Sequence, residues 1–320
     1  MSLDASPPRV LILGTGAMAT TLGAYLARGE DAEVTLAGTW VDGIEAIRRH
    51  GVRVEDASGA WTSGPAAVPI AEAPEADVVL VLVKSTQTET PPVERAVKHG
   101  AESGALVVTL QNGLGNREAL ARGADVAHVA VGVATLGATL VAPGRVRAFP
   151  GDVVFAREGR PEADEALMRL AGLLSRAGIP GSTSADVGPL LWTKLAVNCA
   201  INPLAALTGL TNGALLDNPR LRTLMAEAAR EVGEVAAAQG MELPEDPARR
   251  AEAVAEATAG NRASMLQDIE RGVRTEIEFL NGAVVAEAVR RGVRTPVNDW
   301  LCRSVRARET ALCLRPRLTA

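Results

Sequence analysis

Lys194, Asn198 and Asn202 recur at four-residue intervals in Leu190-Leu191-Trp192-Thr193-Lys194-Leu195-Ala196-Val197-Asn198-Cys199-Ala200-Ile201-Asn202-Pro203-Leu204. In a helix that interval stacks the three on one face, with only a slow drift about the axis. Almost everything between them is Leu, Ala, Val, Ile or Cys, so burial on most sides is expected. A lysine and two amides so placed must find hydrogen-bond partners or cost about 1–3 kcal/mol each. The competing reading is an ordinary solvated face. Solvated faces, however, are rich in Glu, Lys and Arg, and this one offers asparagines. Pro203 removes one backbone N–H bond just past the stripe and favours a bend there. Such a stripe suits the floor of a polar pocket. An ammonium can stabilise negative charge developing on a substrate oxygen and supply a proton, while neutral amides orient the substrate.

The elements around the stripe fall into two halves, as expected for 320 residues, a length large for one core. From Arg9 to about Leu110 short apolar strands alternate with helical segments. Val10–Leu13, Glu33–Leu36, Asp77–Val83 and Ala105–Leu110 read as strands, the last two as continuous apolar runs of parallel strands covered on both faces. Met18–Arg28 and Val41–His50 read as helices, and 52–69 as a small hairpin excursion around Ser58-Gly59. Further β-rich pieces run from Val126 to Phe155, broken at Pro143-Gly144 and Pro150-Gly151, ahead of an amphipathic helix over Glu162–Ala177. Beyond Ile179–Ser184 the pattern is helical nearly to the end, in segments near 186–208, 218–240, 246–271, 273–291 and 295–314. The expected fold is an α/β Rossmann-type dinucleotide-binding domain over 1–184 followed by an all-α substrate-binding and catalytic domain over 185–320.

Composition removes several functions. Aromatic residues are only 2%, which argues against stacking platforms for single-stranded nucleic acid. A net charge of −5 argues against a general phosphate-backbone binder, though not against a local basic pocket for a small anion. Cys199, Cys302 and Cys313 lack CxxC spacing, and His50, His99 and His128 are scattered. No disulfide framework and no metal site are therefore expected. No run of apolar residues is expected to reach membrane-spanning length, and Met1–Pro8 is too short and polar for a signal peptide. A cytoplasmic protein without nucleic-acid or membrane partners is expected.

Gly14-Thr15-Gly16-Ala17-Met18-Ala19 follows the first strand and opens a helix. This GxGxxA run is a variant of the dinucleotide fingerprint. Gly14 permits the tight turn, Gly16 lets the backbone approach a pyrophosphate, and Ala19 lets helix and strand pack closely. Helix N-terminal N–H groups then bind the phosphates. An NAD site usually ends its second strand in Asp or Glu, which reads the ribose 2′-hydroxyl. Here Val34-Thr35-Leu36-Ala37-Gly38-Thr39 carries no acid at that end. Repulsion against a 2′-phosphate is thus absent, Thr39 can donate one hydrogen bond to it, and Lys84 can add charge. NADP is favoured over NAD.

These features, with Asn261-Arg262-Ala263-Ser264-Met265-Leu266-Gln267-Asp268-Ile269 and Thr275-Glu276-Ile277-Glu278, make the chain resemble the ketopantoate reductases, or 2-dehydropantoate 2-reductases, over nearly its whole length. The resemblance implies NADPH-dependent reduction of 2-dehydropantoate to (R)-pantoate in pantothenate and coenzyme A biosynthesis. It implies Lys194 as the donor of the proton to the substrate carbonyl, and Asn198 and Asn202 as substrate-binding amides. Asn212, in Thr211-Asn212-Gly213, falls on a further substrate position. Asn261 and Ser264 match a pair at the pantoate end, and Glu276 an acid near both lysine and nicotinamide. Asn112, in Leu110-Gln111-Asn112-Gly113, matches an amide touching both cofactor and substrate. Lys84 matches a lysine near the cofactor phosphates, and Ala138 lies where the family backbone meets the cofactor. Many members carry arginine at the end of the second strand, where this chain has Thr39; Arg48 or Arg49 is a candidate substitute.

Taken singly, each residue has a plainer reading. Lys84 can be a surface lysine after a strand, Asn112-Gly113 a turn dipeptide, Ser264 a helix residue bonded back to a carbonyl, and Glu276 a surface partner of Arg274. Two other functions also fit the sequence. One is a related D-2-hydroxy-acid dehydrogenase acting on another 2-oxo acid with NAD, and the other a non-catalytic NADP-binding sensor. The Ala-rich helical half is compatible with a homodimer.

Overall fold

The computed structural model describes residues 6–29, 31–124, 129–157 and 164–313. The expectations at Met1–Ala5, Val126, His128, Glu162 and residue 314, and the side chain of Cys313, lie outside them. The chain divides into two units: residues 1–111 with 116–187, and residues 188–320 with Asn112–Gly115.

The first unit contains β1 (Arg9–Leu13), α1 (Ala17–Arg28), β2 (Glu33–Gly38), α2 (Val41–His50), β3 (Val52–Asp56), β4 (Gly59–Ser63), β5 (Ala66–Pro69) and β6 (Val78–Val81). It continues with α3 (Pro91–Glu102), β7 (Leu106–Thr109), α4 (Asn116–Ala121), β8 (Val129–Ala134), β9 (Gly137–Ala142), β10 (Arg145–Phe149), β11 (Val153–Ala156), α5 (Glu165–Arg176) and β12 (Gly181–Thr183). Eight strands form one sheet in the order β12-β11-β8-β7-β6-β1-β2-β5. From β5 to β8 every pairing is parallel, in the strand order of a doubly wound dinucleotide-binding sheet. β11 then runs antiparallel to β8.

Alternation along the strands explains why both faces are covered. Val10 and Ile12 of β1 and Leu80 of β6 enter one core with Leu22 and Leu26 of α1. Leu11, Leu13, Val79 and Val81 enter the opposite core with Val93 and Val97 of α3. The hairpin expected around Ser58-Gly59 is β3–β4, with Gly59 at φ 118°. A pairing not legible locally adds β10, parallel to β3, and then β9, making a second sheet ordered β4-β3-β10-β9. Asp56 fastens that sheet to α1: it accepts from Tyr25 Oη at 2.6 Å and from Trp61 Nε1 at 2.7 Å.

The second unit contains α6 (Gly188–Thr208), α7 (Asn212–Leu216), α8 (Pro219–Ala237), α9 (Pro247–Ala257), α10 (Ser264–Arg271), a π-helical turn (Glu278–Gly282), α11 (Ala283–Arg291) and α12 (Pro296–Cys313). Asn218 and Asp246 cap α8 and α9 from their N-cap positions, each followed by proline. Two of the expected long helices are broken. The one over 246–271 stops where the Thr258 hydroxyl bonds back to the Val254 carbonyl, and the chain turns through Gly260 before α10. The one over 273–291 starts late. Gly272 closes α10 in the left-handed conformation, and Thr275 is held by side chains instead of by a helical ladder.

Leu195, Cys199 and Leu204 of α6 pack with Met225, Val232, Ala251, Leu266, Leu301 and Val305 in one core. Contrary to the sequence expectation, α6 is by length and composition apolar enough to cross a membrane. More than half of it is buried against the other helices of its unit, which gives its apolar character a structural use.

Candidate active site

In the sheet unit, the fingerprint turn is built from close approaches. Gly14 sits at φ 131°, and a Cβ there would lie 2.9 Å from the Leu82 carbonyl oxygen. Its N–H donates to the Ala37 carbonyl at 2.7 Å, tying the turn to the end of β2. Thr15 is buried against Gly38, whose missing side chain makes the room. Gly16, the N-cap of α1, has open space where a Cβ would stand, and no side chain caps the helix. Ala17 and Met18 are half-buried and Ala19 is fully buried against the sheet. An open glycine before uncapped helical N–H groups fits a dinucleotide pyrophosphate.

The other cofactor candidates of this unit stand at strand ends or in the second sheet. Thr39 follows β2 and is exposed; Lys84 follows the β6 segment and is half-buried. Ala138 lies in β9, opposite Ala148 of β10. The two candidate substitutes for an arginine at Thr39 are both engaged elsewhere. Arg48 donates to the Ala67 carbonyl at 2.6 Å, and Arg49 to Glu45 at 3.0 Å.

In the helical unit, Lys194 and Asn198 are half-buried and Asn202 is buried, so the stripe is not a solvated face. Burial of the ammonium lowers the Lys194 pKa to about 8, and the negative charge of Glu276 works against that fall. Glu276 is itself buried, which removes the reading of a surface pair with Arg274. Among the described residues, the amides of Asn198 and Asn202 have no hydrogen-bond partner. They contrast with Asn281 and Asn298, whose amide N–H groups are spent on protein oxygens.

The loop Asn112–Gly115 belongs to this unit although its chain neighbours belong to the sheet. Leu114 N–H donates to the Phe279 carbonyl at 3.0 Å, setting the half-buried Asn112 on the turn that follows Glu276. Asn212 and Asn261 are also brought together: the Asn212 N–H donates to the Asn261 carbonyl at 3.0 Å. The Asn212 amide donates to Thr258 Oγ1 at 2.8 Å, leaving its buried Oδ1 without a partner. Ser264, the first residue of α10, is exposed. Among the described residues no group of three His, Cys, Asp or Glu side chains is placed to hold a metal ion.

Sequence reasoning missed Gln111, Thr258 and Asn281. Buried Gln111 donates to the Val83 carbonyl at 2.9 Å and to Thr88 Oγ1 at 2.8 Å, fixing the end of β7 beside the Lys84 segment. Its one local signal was an amide at the end of an apolar strand.

A family model described as Ketopantoate reductase PanE/ApbA matches residues 10–158, and one described as Ketopantoate reductase PanE/ApbA C terminal matches residues 186–309. A 2-dehydropantoate 2-reductase of Halobacterium salinarum is 36% identical over 300 residues, spanning 93% of this chain and 98% of that protein. One of Archaeoglobus fulgidus is 35% identical, spanning 95% and 99%. Among solved structures, a PanE/ApbA family ketopantoate reductase from Ralstonia eutropha JMP134 matches with a TM-score of 0.85 at 34% identity, covering 95% of this chain and 99% of that one. D-mandelate dehydrogenase with NADH and anilino(oxo)acetate matches with a TM-score of 0.88 at 25% identity, covering 96% of this chain and all of that one.

Proposed function

Since the chain belongs to the ketopantoate reductase family, we propose that it is a cytoplasmic 2-dehydropantoate 2-reductase, forming (R)-pantoate from 2-dehydropantoate with NADPH. The observation that carries this reading is Lys194, a lysine with its pKa lowered to about 8, on one face with two amides that no group among the described residues uses. A sensor would gain nothing from such a proton donor.

The fingerprint residues Gly14 to Ala19 hold the dinucleotide phosphates, with Thr39, Lys84, Ala138 and Asn112 as further cofactor contacts. When bound, the reduced nicotinamide supplies hydride to the 2-oxo carbon. Lys194 Nζ donates to the carbonyl oxygen, stabilises the charge that develops there and gives up its proton. Asn112, Asn198 and Asn202 orient the acid without adding charge. Asn261 and Ser264 take its far end, and Asn212, whose N–H donates to the Asn261 carbonyl, is a further substrate contact. Glu276 keeps the lysine charged and aimed.

The preference for NADPH is supported by the absence of a carboxylate at the end of β2. Thr39→Asp should repel a 2′-phosphate and move the preference toward NADH, measured as kcat/KM for both cofactors in both proteins. An unmodified enzyme that already favours NADH would overturn this part of the reading, and with Arg48 and Arg49 engaged it is a direct test of Thr39 and Lys84. The structural match to D-mandelate dehydrogenase favours a second reading, a D-2-hydroxy-acid dehydrogenase using NAD. A panel of ketopantoate against aryl and branched 2-oxo acids, each with NADPH and NADH, separates the two.

Asn198→Ala and Ser264→Ala are expected to raise the substrate KM several-fold to a hundredfold, since each removes a bond worth about 0.5–1.5 kcal/mol, or about 3 if to a charged group. Cofactor affinity, read by NADPH fluorescence, should barely change. Loss of NADPH binding with an unchanged KM would show that these residues serve the cofactor instead.

A further inference from the structure

Pro203 lies inside α6 and has no N–H to offer the carbonyl four residues earlier, that of Cys199. The partner that carbonyl finds is Asn281, whose Nδ2 donates to it at 3.0 Å. Asn281 belongs to the π-helical turn that begins just after Glu276, and it is fully buried. The same Nδ2 donates to Asn298 Oδ1 at 2.9 Å, and Asn298 is held in turn by the Ala228 carbonyl and Glu231. On the other side of Glu276, Thr275 N–H donates to Glu309 of α12 at 2.6 Å. Glu276 is therefore bracketed, and one bracket closes on α6 between Asn198 and Asn202.

We propose that Asn281 is a positioning residue, which ties the π turn to the carbonyl freed by Pro203 and so holds the Glu276 carboxylate toward the Lys194 ammonium. Wide helical turns of this kind often mark functional sites. Here the turn makes a specific connection: it converts the proline break in α6 into the anchor for the acid that faces the lysine. Asp268 of α10, which packs against α6, is buried and has a partner, and the other ionisable groups on these elements are engaged as follows. Glu231 accepts from Val297 N–H and Asn298, Glu278 pairs with Arg306, and the Cys199 thiol is pushed well above its ordinary pKa by burial. Glu276 is the carboxylate whose charge acts on Lys194.

The inference rests on Lys194 as proton donor, but its test does not require turnover. The chain has three lysines, Lys84, Lys98 and Lys194, so lysine labelled with ¹³C at Cε gives three signals, assigned by Lys194→Arg. Removing the Glu276 charge with Glu276→Gln should lower the Lys194 titration midpoint by about one unit or more. Asn281→Ala should move the midpoint in the same direction, and Asn281→Ala/Glu276→Gln no further than Glu276→Gln alone. Simple loosening of the core would hydrate the lysine and move the midpoint the opposite way, toward the ordinary lysine value.

Because Asn281→Ala leaves a buried carbonyl unsatisfied, Asn281→Ala/Pro203→Ala is measured alongside it. Residue 203 then has an N–H for Cys199, which should restore thermal stability without restoring the midpoint. A midpoint that stays put, rises, or recovers together with stability overturns the proposal. If the wild-type protein reduces no 2-oxo acid, the functional reading falls while this titration still decides the tether.

Discussion

Lys194→Ala is expected to lower kcat by about 10²–10⁴-fold while the protein folds and binds NADPH, because a positioned acid typically contributes that much. A drop alone would not separate proton donation from binding. The pH profile does. With a pKa of about 8, about nine in ten Lys194 side chains carry the proton at pH 7, and kcat/KM should fall on the alkaline side near pH 8. That limb should vanish in Lys194→Ala. Near-normal kcat with the limb intact would mean that the proton comes from another group. Stability supplies an independent reading. The folded pKa lies below the ordinary lysine value, so the unfolded chain binds more protons between about pH 8 and that value, and stability rises with pH through the window. At pH 7 the folded protein carries the full cost, up to about 3 kcal/mol. Lys194→Met should thus gain stability while losing activity, which is the mark of a residue present for chemistry.

The stripe was legible because its signal is local: three polar residues at helical spacing in an apolar run need no tertiary information. The fingerprint turn was legible for the same reason, since Gly14, Gly16 and Ala19 report a backbone requirement through their side chains or lack of them. What was not legible depends on pairing across long stretches of chain. β3 finds β10 some ninety residues later, and neither strand carries a mark of the other. Asn281-Gly282 reads locally as a turn dipeptide, yet it sits inside a π turn with its amide bonded to a carbonyl 82 residues away. α9 stops before Thr258, whose hydroxyl accepts from the Asn212 amide 46 residues away, a contact that periodicity cannot detect. Asn112 was legible as a candidate, but its membership of the helical unit was not, because the contact that places it there runs to Phe279.

That contact gives the second large effect. Gly113→Ala is expected to lower kcat/KM by about 10²-fold. Gly113 sits at φ 87°, where an L side chain costs about 1–2 kcal/mol, and a Cβ there would stand 2.1 Å from the Phe279 carbonyl oxygen. The obstacle is backbone, and it cannot easily retreat: Phe279 N–H is bonded to the Glu276 carbonyl at 3.0 Å, with Thr275 and Asn281 fixed on either side. The loop must therefore lift, breaking the Leu114–Phe279 bond and moving Asn112, and a displacement of about 1 Å at a positioning group can cost about 10² in rate. NADPH affinity should fall by no more than the loss of one hydrogen bond, about 0.5–1.5 kcal/mol, since the fingerprint turn lies in the other unit. Gly115→Ala is the control. Gly115 has a similar φ of 83° but open space where its Cβ would stand, so it should lose only about 1–2 kcal/mol of stability and retain most activity. Melting temperatures and kcat/KM of the two variants, measured side by side, separate backbone strain from the Phe279 contact. Equal losses of activity in both would show that the left-handed conformation alone matters and that the close approach to Phe279 does not position Asn112.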